Sequence, residues 1–275
     1  MPVKVCAVSS ETGKTARDLK RMKREGRKIV AVTAYDWRVG EIVDGCGVDL
    51  VLVGDSVGNV FAGLPSTVSV RMRDMEYHTR AVSRGVRNAH LCADMPFLSY
   101  QTGERDAVRN AGALLRAGAR SVKMEISASR HIKAARAVTD AGIPVVAHVG
   151  LCPQSVNLYG GYGIQGCTPE SADDIYRLAL ESREEGAVAL VVECVPPALA
   201  RRITSAVDIP TIGIGSGGGC DGQILVFNDL VGLTEEVPRF VRQYCEAGKI
   251  FSSAVEDYVR EVREGTFPPP DGEND

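Results

Sequence analysis

The chain has 275 residues and a formal net charge of −3, and 44% of its residues are hydrophobic against 24% charged. This balance is typical of a folded globular protein with a sizeable core and excludes disorder along the whole chain. It provides no net positive field for nucleic acid or an anionic membrane, so we expect neither as a partner. The N-terminal segment lacks the pattern of a signal or transit peptide, and no apolar run approaches the roughly 20 residues that span a bilayer, which predicts a cytoplasmic protein.

Apolar runs alternate with amphipathic segments along most of the chain. A polar arm covers 1–14, and a short basic helix follows from Thr15. β-Branched runs predict strands at 29–34, 50–54, 90–93, 121–126, 144–149, 188–193, 210–214 and 223–227. Helical spacing lies between them at 38–45, 72–85, 104–117, 130–141, 171–185 and 197–206, and again at 236–247 and 252–263.

This alternation predicts an α/β fold, a single (β/α)8 TIM barrel over 15–263 with a short N-terminal helix and extra C-terminal helices. We expect 1–14 to be a flexible arm and the proline-rich, acidic 264–275 to be a disordered tail. A doubly wound sheet is the alternative, but it places a glycine-rich phosphate loop after the first strand, where this chain has TAYDWR. The glycines at 213–219 follow a late strand, where they either hold a phosphate or let the backbone pass close to a site.

Polar residues stand at the ends of five successive predicted strands. They are Asp55, Asp94, Lys123 with Glu125, His148, and Glu193. The active site of a (β/α)8 barrel lies at the C-terminal ends of its strands, so we expect these side chains to share one pocket.

Asp55, Asp94 and Glu125 offer the hard oxygen ligands that Mg²⁺ prefers, and such a site can also take Mn²⁺ or Co²⁺. Any one of them alone would more readily be a helix cap, but the set of three favours a metal. Lys123 has two interpretations, an internal ion pair with the carboxylates or a clamp for a substrate anion.

His148 is either a satisfied core residue or a holder of a substrate oxyanion. Glu193 ends an apolar run before CVPP, and an apolar setting that favours proton uptake suits a general base. A Lewis-acid metal opposite such a base indicates enolisation of a carbonyl compound.

Ten segments resemble the ketopantoate hydroxymethyltransferase family, in the same order from about residue 15 to 263. They are VTAYDW, LVGDSVGNV, YHTRAVSRG, ADMPFLSY, VKME, AHVGLCPQSVN, GGYGIQG, VVECVP, IPTIGIGSG and CDGQILVFND. The resemblance implies a barrel of the phosphoenolpyruvate mutase and isocitrate lyase type. It also implies hydroxymethyl transfer from 5,10-methylenetetrahydrofolate to 3-methyl-2-oxobutanoate, which gives 2-dehydropantoate for pantothenate and coenzyme A biosynthesis.

The resemblance further implies roles for individual residues. In GDS, Asp55 would bind the metal and Ser56 the keto acid, and in AD, Asp94 would be the second metal ligand. Both aspartates would thereby also face the substrate. In VKME, Lys123 would bind the substrate and Glu125 would belong to the metal shell.

AHVG would place His148 at the substrate carboxylate, and VVEC would make Glu193 the general base. The family commonly assembles as a homo-oligomer of ten subunits, and the predicted helix at 252–263 would be a contact.

Three positions depart from the family pattern. Gly163 and Cys167 stand where basic residues are common, and Ser216 stands where alanine is usual. The first two changes thin the positive charge over the barrel mouth, where the folate would bind under the loop at 158–167.

Two other functions fit the same barrel. A Mg²⁺-dependent carbon-carbon lyase of the isocitrate lyase type would use a cysteine in a loop after a middle strand, and Cys167 is the candidate. A non-catalytic barrel would have lost at least one pocket residue, and none is lost here.

Overall fold

Eight parallel strands close into a barrel in sequence order, and the eighth pairs with the first. They are β1 (Ile29–Thr33), β2 (Leu50–Val53), β3 (His90–Asp94), β4 (Ser121–Glu125), β5 (Val145–Gly150), β6 (Ala189–Glu193), β7 (Thr211–Ile214) and β8 (Gly222–Leu225). The computed structural model describes residues 13–269. The predicted (β/α)8 barrel is confirmed, and its closure excludes the doubly wound alternative.

Helices connect the strands at nearly the predicted positions. They are α2 (Trp37–Gly45), α4 (Met72–Ser83), α5 (Glu104–Arg116), α6 (Ser129–Asp140), α8 (Pro169–Glu184) and α9 (Pro197–Ala206). Shorter helical turns, which the sequence did not predict, follow β2 and β5. They are α3 (Val57–Val60), α7 (Val156–Tyr159) and two 3-10 turns, Thr67–Ser69 and Pro153–Ser155.

Helix α1 (Ala16–Arg24) begins after Thr15, whose hydroxyl and the carboxylate of Asp18 form a capping box. Its Leu19 and Met22 join the apolar cluster that fills the barrel interior. Lys23 Nζ lies 2.9 Å from Asp221 Oδ2, just before β8, and donates to Thr204 O at 2.9 Å. The helix therefore ties the beginning of the barrel to its end.

Alternate residues of each strand face the barrel interior, as the two-residue period of a strand requires. The lower part of the interior is largely apolar, with Ile29, Leu50, Cys92, Val146, Ala189 and Ile212 in one cluster. The inward side chains nearest the C-terminal ends are polar on β3, β4, β5 and β6. The fold thus separates an apolar lower core from a polar upper layer.

The chain divides into two units between Leu225 and Val226, and the second contains α10 (Phe227–Leu230) and α11 (Ala247–Glu264). The predicted helix at 252–263 lies inside α11, but the predicted helix at 236–247 is wrong. Tyr244 N–H donates to Leu230 O at 2.8 Å and Ala247 N–H to Val231 O at 2.9 Å, so this backbone bonds to the end of α10 instead of to itself.

Residues 1–12 of the predicted arm and 270–275 of the predicted tail lie outside the described residues. Between 13 and 269, no helix combines the length and hydrophobicity needed to cross a membrane.

His90 is a buried polar residue at the lower end of the barrel. Its Nε2 lies 2.8 Å from Ser121 Oγ and its Nδ1 lies 3.1 Å from Lys14 O. Burial lowers the pKa of His90 to about 4. Between about pH 6.5 and pH 4 the unfolded chain therefore takes up a proton here that the folded chain does not, and stability falls as the pH falls.

We expect His90→Gln to flatten this acid dependence. Each pKa unit corresponds to about 1.4 kcal/mol, so wild type should lose about 3 kcal/mol more than the variant between pH 7 and pH 4. Urea unfolding at a series of pH values measures the difference. If the unfolding free energies of the two proteins fell in parallel with pH, buried His90 would not be the source of this acid dependence.

Candidate active site

The predicted strand-end residues come together at the C-terminal end of the barrel. Asp94 ends β3 beside Lys123 of β4, and Glu125 pairs in register with His148 of β5. Glu193 ends β6 opposite Gly150 of β5.

Asp55 follows β2, and its backbone N–H donates to Asp94 Oδ2 at 3.0 Å. This hydrogen bond connects the strand-end residues of β3 to the loop that follows β2. A Cβ placed on Gly54 would lie 2.8 Å from Ser56 Oγ and 3.6 Å from Asp94 Oδ2, so Ser56 and Asp94 both border the backbone at Gly54. The hydroxyl of Ser56 is 2.8 Å from that of Tyr35.

Lys123 is the ammonium group that the structure places among these buried carboxyl groups. Its Nζ lies 2.8 Å from Asp94 Oδ1, so the structure forms the internal ion pair. Burial alone would lower the pKa of Lys123, but the charges of Asp94, Asp55 and Glu125 outweigh it and raise the pKa. Lys123 therefore stays charged at neutral pH.

The carboxyl groups repel one another because so little water reaches them. Burial, followed by the charge of Asp94, raises the pKa of Asp55 to about 7. Burial also raises the pKa of Glu125 well above its usual range, with Asp55 as the next cause. Together with Glu193, four carboxyl groups face one ammonium group, which gives a formal charge of −3 when all are ionised. Such a cluster attracts a cation.

His148 lies between two of the carboxyl groups. Its Nε2 is 3.2 Å from Glu193 Oε2, and its Nδ1 is 3.9 Å from Glu125 Oε1. Burial and then the charge of Lys123 lower the pKa of His148, so the ring is neutral. The Glu193 side chain is 18% exposed while that of His148 is 1% exposed, which leaves Glu193 within reach of a molecule in the barrel mouth.

Unsatisfied polar atoms concentrate in this site. Seven buried side-chain nitrogen or oxygen atoms of residues 13–269 have no hydrogen-bond partner, and four of them are Asp94 Oδ1, Glu125 Oε1 and both ring nitrogens of His148. Two of these four atoms have an ionisable neighbour instead: Asp94 Oδ1 lies 2.8 Å from Lys123 Nζ, and His148 Nε2 lies 3.2 Å from Glu193 Oε2. Buried polar atoms are nearly always bonded in folded proteins, so this concentration indicates a binding site.

The site can contribute two neighbouring aspartates to a divalent cation. Within 13–269 no group of three or more His, Cys, Asp or Glu residues is arranged to hold a metal by itself. Glu125 is instead bound through Oε2 to the backbone N–H of Gln154 at 3.0 Å. Buried, mutually repelling carboxylates fit Mg²⁺, which takes one or two direct carboxylates and fills its other positions with water or substrate oxygens.

The backbone around Glu193 is unusually constrained. Cys194 has a left-handed φ of +46°, and its N–H donates to Ile214 O at 2.9 Å. Ser216 Oγ donates to Val192 O at 2.9 Å and accepts from Val195 N–H at 3.2 Å. Ser216 stands where alanine is usual in the family, and its hydroxyl therefore binds the backbone on both sides of Glu193.

Sequence reasoning missed Gln154, Tyr100 and Tyr35 as parts of this site. Gln154 lies in a 3-10 turn after β5, and Tyr100 lies after β3. Residues in irregular turns have no hydrophobic periodicity that would identify them. The sequence signal used to find the site was the series of polar residues at strand ends, and none of these three residues ends a strand.

The loop departures lie at the surface. Gly163 and Cys167 are both exposed, and Cys167 Sγ lies 3.5 Å from Ile164 O. Gln165 N–H donates to Cys194 O at 2.8 Å, which anchors the loop beside Glu193.

Comparison with known proteins identifies the family. The sequence pattern of the family described as ketopantoate hydroxymethyltransferase matches residues 13–270. The chain belongs to this family. It is 50% identical over 258 residues to the 3-methyl-2-oxobutanoate hydroxymethyltransferase of Geobacter sulfurreducens, covering 93% of this chain and 96% of that protein. The enzyme of the same name from Clostridium novyi is 47% identical over 256 residues, covering 92% and 93%. The chain is thus a hydroxymethyltransferase.

Solved structures with the same fold are more distant. Phosphonopyruvate hydrolase in complex with oxalate and Mg²⁺ has a TM-score of 0.61 at 15% identity, covering 95% of this chain and 92% of that one. A 2,3-dimethylmalate lyase, a member of the phosphoenolpyruvate mutase and isocitrate lyase superfamily, has a TM-score of 0.58 at 16% identity, covering 94% and 91%. These likenesses concern the fold alone: they agree with the (β/α)8 barrel, and they do not favour the lyase alternative.

Gly150 provides a test of the crowding beside Glu193. Its φ is +97°, and a Cβ would overlap Glu193 O and lie 2.8 Å from Val195 Cγ1. Gly142 provides the comparison: its φ is +83°, and a Cβ placed on it would have nothing within 4 Å.

We expect Gly142→Ala to cost only backbone strain, about 1–2 kcal/mol. Gly150→Ala should cost a further ~1–3 kcal/mol, because the strand end must move to admit the methyl group. Urea unfolding of both variants measures the difference, and equal losses would show that β5 and β6 are not packed this tightly.

Proposed function

We propose that the chain transfers a hydroxymethyl group from 5,10-methylenetetrahydrofolate to 3-methyl-2-oxobutanoate and produces 2-dehydropantoate. The observation that carries this proposal is the group of buried polar atoms on Glu125 and His148 without hydrogen-bond partners, which lies beside the ion pair of Asp94 with Lys123 and the partly exposed Glu193. A small, oxygen-rich keto acid matches such a site. The names of the close relatives support the same substrate.

Asp55 and Asp94 would hold a Mg²⁺ ion, or Mn²⁺ or Co²⁺ in its place, and Glu125 would act from the outer shell. When bound, the cation would act as a Lewis acid toward the keto and carboxylate oxygens of the substrate. The residues already fit a cation, since their negative charge exceeds what Lys123 neutralises.

Glu193 would act as the general base. Its carboxylate takes the proton from C3 of the keto acid, and the resulting enolate carbon forms a bond to the one-carbon unit of the folate. Both C–N bonds of the folate's methylene bridge break. Water supplies the hydroxyl group, and tetrahydrofolate leaves after its two nitrogens have taken up one proton from water and the proton that Glu193 removed. The neutral ring of His148 can donate an N–H to the carboxylate or to the substrate without adding a second positive charge.

Lys123 and Ser56 would orient the substrate. The ammonium group of Lys123 lies against Asp94 and can attract the substrate carboxylate over the short distance across the site. Ser56 would contact the keto acid through its hydroxyl. The homo-oligomeric assembly of ten subunits and the cytoplasmic location remain predictions from the resemblance and the composition.

Glu193→Gln should abolish exchange of the C3 proton of 3-methyl-2-oxobutanoate with deuterium in heavy water. The amide keeps the size of the side chain but cannot accept the proton. Proton NMR of the keto acid measures the exchange. As a control, the affinity for Mn²⁺, measured by electron paramagnetic resonance, should stay nearly unchanged. Exchange at the wild-type rate would remove Glu193 from the mechanism.

Asp94→Asn should weaken the Mg²⁺-dependent part of keto acid binding by at least tenfold, because one of the two direct carboxylates is lost. Calorimetric titration with and without Mg²⁺ measures that part in both proteins. Wild-type binding that is equal with and without the ion would contradict chelation by the substrate.

A further inference from the structure

Gln154 connects two of the site's carboxyl groups. Its Nε2 donates to Asp55 Oδ2 at 2.9 Å and to Met95 O at 2.9 Å. Its backbone N–H donates to Glu125 Oε2 at 3.0 Å. One residue therefore holds an oxygen of Asp55, after β2, and an oxygen of Glu125, on β4.

The orientation of the Gln154 amide is fixed from both ends. Its Oε1 accepts from Gln101 Nε2 at 3.1 Å and lies 3.1 Å from the Tyr100 hydroxyl oxygen, whose one proton has Glu125 O at 3.0 Å as a second acceptor. If the amide turned over, its oxygen would face the Asp55 carboxylate and the Met95 carbonyl, and its NH2 group would face the Gln101 NH2. Gln154 is buried, so such mismatches would go uncompensated by water.

This arrangement decides which oxygens are available in the site. Asp55 Oδ2 is held by Gln154 Nε2. On Glu125, Oε2 is held in the same way and Oε1 is unsatisfied. Each carboxyl group thus has one oxygen fixed by Gln154, and the other oxygen of Glu125 has no hydrogen bond from the described residues.

We propose that Gln154 is a positioning residue, whose amide and backbone N–H orient Asp55 and Glu125 so that their remaining oxygens serve a divalent cation. This inference rests on the metal site of the proposed function. Partners that orient ligand side chains from outside typically change metal affinity or activity by about 10–100-fold when they are removed.

The test is Gln154→Met, which keeps a similar side-chain volume and removes both ends of the amide. We expect the dissociation constant for Mn²⁺, measured by electron paramagnetic resonance without substrate, to rise at least tenfold. At saturating Mn²⁺ the turnover number should return to within a few-fold of wild type, because Glu193 is untouched. A purely structural role would lower the unfolding temperature and leave Mn²⁺ affinity unchanged.

Gln101→Met is the matched control. It removes a donor to Gln154 Oε1, while Asp55 Oδ2 and Met95 O still accept from Gln154 Nε2 and fix the amide, so Mn²⁺ affinity should stay within about twofold. If Gln154→Met fails to fold, Gln154→Asn takes its place, because the same amide shortened by one methylene cannot reach both Asp55 and Tyr100. Its Mn²⁺ affinity should fall about fivefold or more.

The outcomes separate the two proposals. If wild type binds Mn²⁺ and the Gln154 variants bind it equally well, the role of Gln154 is overturned and the metal site remains supported. Wild type that does not bind Mn²⁺ overturns both.

Discussion

The structure depends on the burial of carboxyl groups around a single lysine. Asp55, Asp94 and Glu125 are nearly inaccessible to water, and Lys123 is buried with them. Burying charge is costly unless each group has a partner, and here the negative groups outnumber the positive one. The barrel must therefore hold these residues against their own repulsion, and the stability of the apolar lower core offsets that cost.

Backbone N–H groups and a side-chain amide hold these buried carboxyl groups in place. Asp94 accepts from the backbone of Asp55, Glu125 from the backbone of Gln154, and Asp55 from the Gln154 side chain. Fixed donors of this kind orient a carboxylate without adding formal charge. The site consequently keeps its full attraction for a cation, which a second lysine or an arginine would have reduced.

The sequence was sufficient to predict the barrel and the convergence of the polar strand ends. Parallel strands have strong apolar periodicity, and their C-terminal ends meet at one face, so Asp94, Lys123, Glu125 and His148 could be placed together before any coordinates were known. Residues in irregular turns could not, because Gln154 and Tyr100 act through contacts between segments far apart in the chain. The error at 236–247 has a similar origin, since that backbone bonds to the end of α10 despite its helical spacing. Individual roles in metal binding, substrate binding and proton transfer were inferred from residue chemistry and from the resemblance, and they stay predictions.

The tie between α1 and the last strand has a consequence for how the protein is made. Lys23 and Asp221 are 198 residues apart in the chain, and their contact forms only when both have left the ribosome. At roughly 5–20 residues per second, synthesis of the intervening chain takes about 10–40 s. During that interval Leu19, Met22 and the early strands have no closed barrel to enter, so their apolar surfaces stay available to chaperones or to neighbouring chains.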